Sequence, residues 1–301
     1  MEDHLVVLVL ATGALGLAAP QLGVGLRGAV TPLLALLMLA VSLSFDLDTL
    51  REVLRRPHLQ ALATLLVYGP MSLVALGLAG LLFGAGELWV GMVLLGTLPT
   101  DVSSPLLVWI ARGNVALATV SNAVNTALAP LVVPALFLFY TGVELAAPLG
   151  ELAGELALVV LLPTVVGVAV RTRRPRQVAS LEPALSATAS VAYLALLLAV
   201  VGPNADLVLA APTTVALVAV GAVALNVCGY LVAAATRPLL HRRGDRVAML
   251  FTVSKKEFSI AAFVVFAGGL PAEVALPAVV YAVVQMLTSP VVARALARRQ
   301  G

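Results

Sequence analysis

The stretch PTDVSSPLLVWIARGNVALATVSNAVNTALAP, residues 99–130, decides how this chain folds. It begins inside one long apolar segment and ends inside the next, yet it carries a carboxylate, Asp101, between Pro99 and Pro105. Each proline removes a backbone donor and disfavours helix at the residue before it. We therefore expect an unwound centre in this segment, with a simple proline kink as the alternative.

The composition of the whole chain places this segment in a lipid bilayer. Of the 301 residues, 61% are hydrophobic and 11% are charged, which is too little polar surface to solvate a globular protein. The formal charge of +3 comes from arginines between apolar runs, so it indicates membrane orientation and no nucleic-acid partner. Cys228 is the single cysteine, which excludes an internal disulfide, and we expect it to serve as packing. The first apolar run follows an acidic start, which favours a first helix over a cleaved signal peptide.

The chain divides into ten apolar segments of about the length, roughly 20 residues, that crosses a hydrocarbon core. They cover residues 5–20, 29–45, 59–83, 88–110, 115–140, 152–170, 181–201, 211–235, 247–267 and 272–295. The sequence therefore predicts an all-α polytopic membrane protein with ten transmembrane helices.

Arginines mark alternate ends of these segments. Every even-numbered segment is followed by basic residues, namely Arg51, Arg55, Arg56, Arg112, Arg171, Arg173, Arg174, Arg176, Arg237, Arg242, Arg243, Arg246, Arg298 and Arg299. The odd-numbered ends carry Arg27 and otherwise acidic residues. By the positive-inside rule, both termini are expected on the cytoplasmic side of a plasma (inner) membrane.

Five helices are an odd number, so two similar halves of five must enter the membrane from opposite faces. We therefore predict two inverted repeats, residues 1–145 and 146–301, which form one intertwined unit. The fourth and ninth segments become counterparts. A short likeness supports this pairing, because Val-Ser-Ser at 102–104 stands opposite Val-Ser-Lys at 253–255.

Four ionisable residues lie far from any segment end: Asp101 in the fourth segment, and Lys255, Lys256 and Glu257 in the ninth. At 1.5 Å per helical residue, they lie about 15 Å from the basic ends, near the midplane. A charge there costs at least about 2.5 kcal/mol, so such residues usually face a cavity and mark a pathway. An ion pair between Asp101 and one lysine, with no role in transport, is the alternative. No proline interrupts the ninth segment, so a break there would have to come from the charged cluster.

Polar residues accompany these charges. Ser103, Ser104 and Ser254 lie beside them in sequence and join the candidate binding site. The fifth segment adds a polar stripe at helical spacing, formed by Ser121, Asn122, Asn125 and Thr126. Stripes of this kind either hold helices together or bind a ligand, and the sequence leaves both open.

With these residues in place, the sequence resembles the bile acid:sodium symporter superfamily, whose members carry bile acids, other organic anions or arsenite. The likeness is clearest in residues 99–130 and in SKKEFSIAAF, residues 254–263. It implies that the fourth and ninth helices are discontinuous and cross at the membrane centre, with six helices in a core and four in a panel. It also implies alternating access by an elevator-like or rocking motion.

The resemblance suggests sodium contacts at Ser104, Asn122 and Glu257, with Thr126 beside Asn122. Several positions depart from the sodium-coupled members, because Pro105, Ala118, Val253 and Val67 stand where those have oxygen-bearing side chains. A hard cation needs several oxygen ligands. These departures argue against two-sodium coupling of the family kind.

Two functions follow as hypotheses. In the first, a secondary carrier moves a small organic anion that contacts Lys255 or Lys256, while Asp101 and Glu257 handle a coupling ion, sodium or proton. In the second, a cation/proton antiporter uses an Asp101–lysine pair as its exchange site. An enzyme is not expected, because the histidines lie at segment ends and form no His-Glu-x-x-His motif. We expect no cofactor and no bound metal other than a possible sodium ion.

Overall fold

The computed structural model describes residues 2–43, 56–143 and 149–298, and this part of the chain contains helices and no β-strand. The first half contains α1 (Glu2–Ala18), α2 (Pro20–Leu26), α3 (Val30–Ser42), α4 (Pro57–Tyr68), α5 (Pro70–Leu82), α6 (Glu87–Thr97), α7 (Ser104–Ile110) and α8 (Val115–Thr141). The second half contains α9 (Leu149–Arg173), α10 (Pro175–Ser180), α11 (Glu182–Val201), α12 (Ala205–Ala210), α13 (Pro212–Ala235), α14 (Arg243–Ser254), α15 (Phe258–Ala267) and α16 (Leu276–Arg298).

Within the described ranges, seven helical stretches are long and apolar enough to cross a membrane. They are Pro20–Ser42, Pro57–Leu82, Val115–Thr141, Gly150–Arg173, Glu182–Ala210, Pro212–Leu239 and Ala272–Arg298. Each corresponds to one of the ten predicted segments. Of the other three, the first segment is a shorter apolar helix, and the fourth and ninth are each divided in two. The described part of the chain is therefore all-helical, and its long apolar helices are those of a multi-pass membrane protein.

The second segment begins earlier than predicted. It starts at Pro20, nine residues before the expected start at 29, because Pro20 opens a helix that continues through a 3₁₀ turn at Arg27–Ala29. Arg27 therefore lies within this stretch and not between two helices. Its guanidinium carbon lies 5.6 Å from the ring centre of Phe266, a cation–π contact that accommodates the charge. The predicted end at 45 and the arginines at 51 and 55 lie outside the described residues.

The fourth segment is broken, as predicted from its prolines. α6 ends at Thr97, Leu98 is extended with ψ 150°, and α7 begins at Ser104 with Pro105 in its first turn. The ninth segment is broken as well, without any proline: α14 ends at Ser254, and Lys255 and Glu257 both have extended backbone before α15 begins. The unwound centre is confirmed, and the alternative of a simple kink is wrong.

The two breaks contact each other. The backbone N–H of Glu257 donates to the carbonyl of Pro99 at 3.0 Å, and Thr100 Oγ1 donates to the carbonyl of Thr252 at 2.8 Å. Backbone groups freed by unwinding are therefore paired across the junction, as the absence of water in a bilayer requires. The four ends of α6, α7, α14 and α15 meet at this point.

The surrounding helices form two groups by their contacts. α3 packs against α9 and α11, and α1 and α2 also pack on α11. In the second group, α13 contacts α5, α14 and α16, while α6 contacts α5, α8 and α16. α15 also touches α3 and α11, so the break in the ninth segment lies next to the first group.

Candidate functional site

Asp101 and Lys255 form an ion pair at the junction of the two breaks. Lys255 Nζ lies 3.3 Å from Asp101 Oδ1, and both side chains are fully buried. Lys255 Nζ also donates to Ser103 Oγ at 2.6 Å. Ser103 in turn donates to Asp101 Oδ1 from its backbone N–H at 2.9 Å and from its hydroxyl. The predicted pairing of Asp101 with a lysine is present, and Lys255 is the lysine that makes it.

Gln285 on α16 also holds this arrangement in place, and it was not among the residues predicted from the sequence. Its amide nitrogen donates to Asp101 Oδ2 at 3.1 Å and to the carbonyl of Lys256 at 3.1 Å. Its amide oxygen accepts from the backbone N–H of Lys256 at 3.0 Å. One neutral side chain therefore ties the Asp101 carboxylate to the backbone of the other break. The feature of the sequence that could have indicated it is an amide side chain deep inside the apolar segment 272–295.

Lys256 points away from Asp101. Its ammonium group donates to three backbone carbonyls, those of Val67 at 2.8 Å, Gly96 at 2.9 Å and Leu98 at 2.8 Å. The side chain is fully buried. Successive side chains alternate in extended backbone, so Lys255 and Lys256 leave the break on opposite sides.

Glu257 lies at two helix N-termini. Its carboxylate accepts from the backbone N–H of Val102, next to the start of α7, at 3.1 Å. It also caps α15 by accepting from the hydroxyl of Ser259 at 2.6 Å and from its backbone N–H at 3.4 Å. The positive ends of two half-helices thus face a negative charge, which is a stabilising arrangement.

A cavity opens beside the ion pair, between α3, α11 and the break in the fourth segment. It has a volume of about 410 Å³ and is lined by apolar side chains such as Val41 and Leu106, by the hydroxyls of Ser103, Ser186 and Ser190, and by Glu182, which forms an ion pair with Arg171. A smaller cavity of about 100 Å³ shares Ser103 and Ser190 and reaches Asp101. Asp101 and Ser103 are therefore the polar floor of an otherwise largely apolar space.

The four residues of the polar stripe of α8 fall into two sets with different hydrogen-bond partners. Ser121 donates to Gln60 Oε1 at 3.0 Å, and Asn125 joins Thr64 and Thr100 through its amide, at 2.7 and 3.1 Å. These two residues hold α4, α8 and the break together. Asn122 and Thr126 instead bond to each other at 3.1 Å.

Several buried polar atoms near the breaks have no hydrogen-bond partner among the described residues: Ser104 Oγ, Asn122 Nδ2, Thr252 Oγ1 and Ser254 Oγ. Unsatisfied buried groups are rare and suggest an absent ion or water. Ser104 offers an oxygen to a cation, and Asn122 does so if its amide is turned, because Thr126 Oγ1 can either donate or accept. Glu257, the third predicted sodium contact, already accepts from Val102 and Ser259. The residues present fit one weakly ligated sodium ion better than two.

Comparisons with known proteins place the sequence in a family. The sequence matches the SBF-like CPA transporter family over residues 3–298. It is 30% identical over 198 residues to the "Uncharacterized sodium-dependent transporter YocS" of Bacillus subtilis, covering 66% of this chain and 62% of that protein. It is 30% identical over 202 residues to "Probable sodium/metabolite cotransporter BASS1, chloroplastic" of Arabidopsis thaliana, covering 66% of this chain and 49% of that protein.

The "Uncharacterized protein YbaS" of Bacillus subtilis is 27% identical over 271 residues, or 88% of each chain. The family match covers nearly the whole chain, and the family and two of the relatives, YocS and BASS1, are named as transporters and not as enzymes. The resemblance to bile acid:sodium symporters is confirmed. The chain belongs to the SBF-like CPA transporter family.

Proposed function

We propose that the protein is a secondary active transporter that moves a small organic anion across the plasma membrane by alternating access, coupled to protons or to sodium. The observation that carries this proposal is the buried ion pair of Asp101 and Lys255 at the floor of a cavity, where two interrupted helices meet. Buried ion pairs are weak evidence for stability, whereas charges inside a membrane usually mark a pathway. The pair can be closed, as here, or opened by a ligand.

The cavity suggests the class of solute. Its walls are apolar except for a few hydroxyls and Glu182, whose charge Arg171 balances, so they suit a molecule with a hydrocarbon body and one polar head. Ser103 links that space to Lys255 through a 2.6 Å hydrogen bond, so an anionic head that reaches Ser103 lies next to the ammonium group. The anion then replaces Asp101 as the partner of Lys255.

The coupling ion acts on the same pair. A proton on Asp101 removes the charge that holds Lys255, and the ammonium becomes available to the anion. Proton and anion therefore bind together, and loading is favoured on the more acidic side. A sodium ion at Asp101 would have the same effect, and the names of YocS and BASS1 favour sodium. Ser104 and Asn122 are the candidate oxygen ligands.

The architecture that goes with this function has ten membrane helices in two inverted repeats, residues 1–145 and 146–301, with the fourth and ninth crossing at the midplane. Support comes from their matching interruptions, at 98–103 and at 255–257. The helix group around α3, α9 and α11 would be the panel, and the group around α13 the core. Both termini would be cytoplasmic. The proposed joint near 145 lies outside the described residues.

The test uses purified protein in liposomes. A panel of monocarboxylates, dicarboxylates and sulfonates is added under an inward proton gradient or an inward sodium gradient at equal ionic strength, and solute-dependent currents or internal pH are recorded. We expect a signal for at least one organic anion, which Lys255→Met abolishes. The double variant Asp101→Asn/Lys255→Met should also be inactive, and it leaves no unpaired charge, so its loss of transport is separable from misfolding.

A second function, cation/proton antiport, is favoured by one observation. The Asp101 carboxylate is neutralised by Lys255 without any carried ion, as an exchange site that alternates between a lysine and a cation requires. In the same liposomes, sodium or lithium alone would then release protons, with no organic solute. That outcome, together with no response to any anion, would refute the anion carrier.

A further inference from the structure

The ammonium group of Lys256 is bonded only to backbone oxygens among its described contacts. The three carbonyls of Val67, Gly96 and Leu98 lie at 2.8 to 2.9 Å from Nζ. Carbonyl oxygens accept and cannot donate, so three such bonds require three N–H groups, and a neutral amine has two. Three acceptors around one nitrogen match an ammonium ion better than a neutral amine, and the group is surrounded by oxygens as a bound alkali cation would be.

These carbonyls converge because two helices end beside each other. Gly96 and Leu98 flank the C-terminus of α6. Val67 lies in the last turn of α4, which ends at Tyr68, and α5 begins as a separate helix at Pro70. The last carbonyls of a helix lack partners and carry a partial negative charge. Two such ends facing one point form a site that attracts a cation.

The backbone of Lys256 is fixed independently of its side chain. Its N–H and its carbonyl are both bonded to the amide of Gln285, at 3.0 and 3.1 Å. Substituting the side chain therefore leaves the break anchored. Gly96, which supplies one of the three carbonyls, packs closely against α5, because a Cβ at this position would lie 2.3 Å from Ala75 Cβ.

We propose that Val67, Gly96 and Leu98 form a monovalent-cation site whose occupant is the protein's own Lys256, a tethered cation. The occupant of this site is tethered and is not exchanged during transport, unlike the partner of Lys255 in the Asp101–Lys255 pair. Without the lysine, the site would take a small cation from solution. This inference goes beyond the proposed function, since it does not depend on which solute or coupling ion is carried.

The test compares three substitutions by thermal unfolding of the purified protein in sodium chloride, n-propylammonium chloride or choline chloride at equal ionic strength. Lys256→Ala removes atoms that n-propylammonium can replace. Lys256→Gln shortens the side chain and adds one amide oxygen to the three carbonyls. Lys256→Met fills the same space without charge and is the matched control. The wild-type protein shows how much each salt changes the unfolding temperature through all other sites.

We expect the Ala and Gln variants to unfold at higher temperature in sodium or n-propylammonium than in choline, by more than the wild type does and with saturation. A cation at 100 times its dissociation constant shifts the unfolding equilibrium by about 100-fold. Lys256→Met should respond no more than the wild type. If the Ala variant does not fold, the Gln variant decides the question.

Two results would overturn the proposal. One is an equal response of the Gln, Met and wild-type proteins to all three salts. The other is a sodium-specific stabilisation of the wild type that Lys256→Met abolishes, because an exchangeable ion would then share the site with the lysine.

Discussion

Removing one member of the Asp101–Lys255 pair should cost far more than removing both. Each charge lies in a fully buried position and the two are 3.3 Å apart, so a single substitution leaves an uncompensated charge. Such losses are about 3–5 kcal/mol in buried pairs, whereas replacing the whole pair is often close to neutral. We expect about that cost for Asp101→Asn and for Lys255→Met alone. The double variant should cost less than either single variant, so it should fall short of their sum by at least about 3 kcal/mol, at or beyond the upper end of measured couplings between neighbours.

The assay is reversible unfolding in mixed micelles of a mild detergent and dodecyl sulfate, followed by the fluorescence of the two tryptophans. One of them, Trp109, lies on α7 just beyond the break. Arg171 and Glu182 supply the control cycle, because they form an ion pair of similar length, 3.2 Å, with the glutamate side chain 57% exposed. That cycle should give under about 1 kcal/mol. Single costs at the buried pair that add to within about 0.5 kcal/mol would refute the reasoning.

Three further predictions concern the junction and the topology. Gly229→Ala should destabilise by about 1–3 kcal/mol, because its Cβ would lie 2.6 Å from Ser254 Cα at the break. Gly221→Ala on the same helix meets only side-chain tips, the nearest Leu82 Cδ1 at 3.0 Å, so equal losses for both would contradict this reading. Glu257→Gln should lower the free energy of unfolding by about 1–2 kcal/mol, because hydrogen bonds to a charged acceptor are stronger than neutral ones. Glu257→Leu should lower it further, because it leaves buried N–H groups unpaired. The same unfolding assay checks this order. Fluorescent-protein fusions at either terminus should fluoresce, and alkaline phosphatase fusions there should be inactive, if both ends are cytoplasmic; the opposite pattern would reverse the orientation.

The sequence predicted the break in the fourth segment because proline acts through local chemistry. Pro99 and Pro105 disfavour helix wherever they stand, so the unwound stretch at 98–103 could be located from them. The break in the ninth segment rested on its charged cluster alone. Its extent, residues 255–257, depends on contacts from distant parts of the chain, such as Pro99 and Gln285, which no local pattern contains.

The partners of the two lysines were not predictable, for a related reason. On a helix, Lys255 and Lys256 would point about 100° apart, whereas in the observed extended backbone they alternate. Which one meets Asp101 depends on that local conformation. The stripe on α8 was correctly located, yet its division into Ser121 and Asn125 as interhelical contacts, and Asn122 with Thr126 as a separate pair, depends on which residues of α4 face it.

The four charges at the junction sum to zero when all are ionised: Lys255 and Lys256 against Asp101 and Glu257. A membrane potential does about 2.3 kcal/mol of work per 100 mV on each elementary charge that crosses it. It does none on a neutral group that moves as a unit, so an empty carrier should return across the membrane at a rate independent of voltage. Any current would then report the cargo alone. Replacing Lys256 by methionine would give the junction a net negative charge and make its return voltage-dependent.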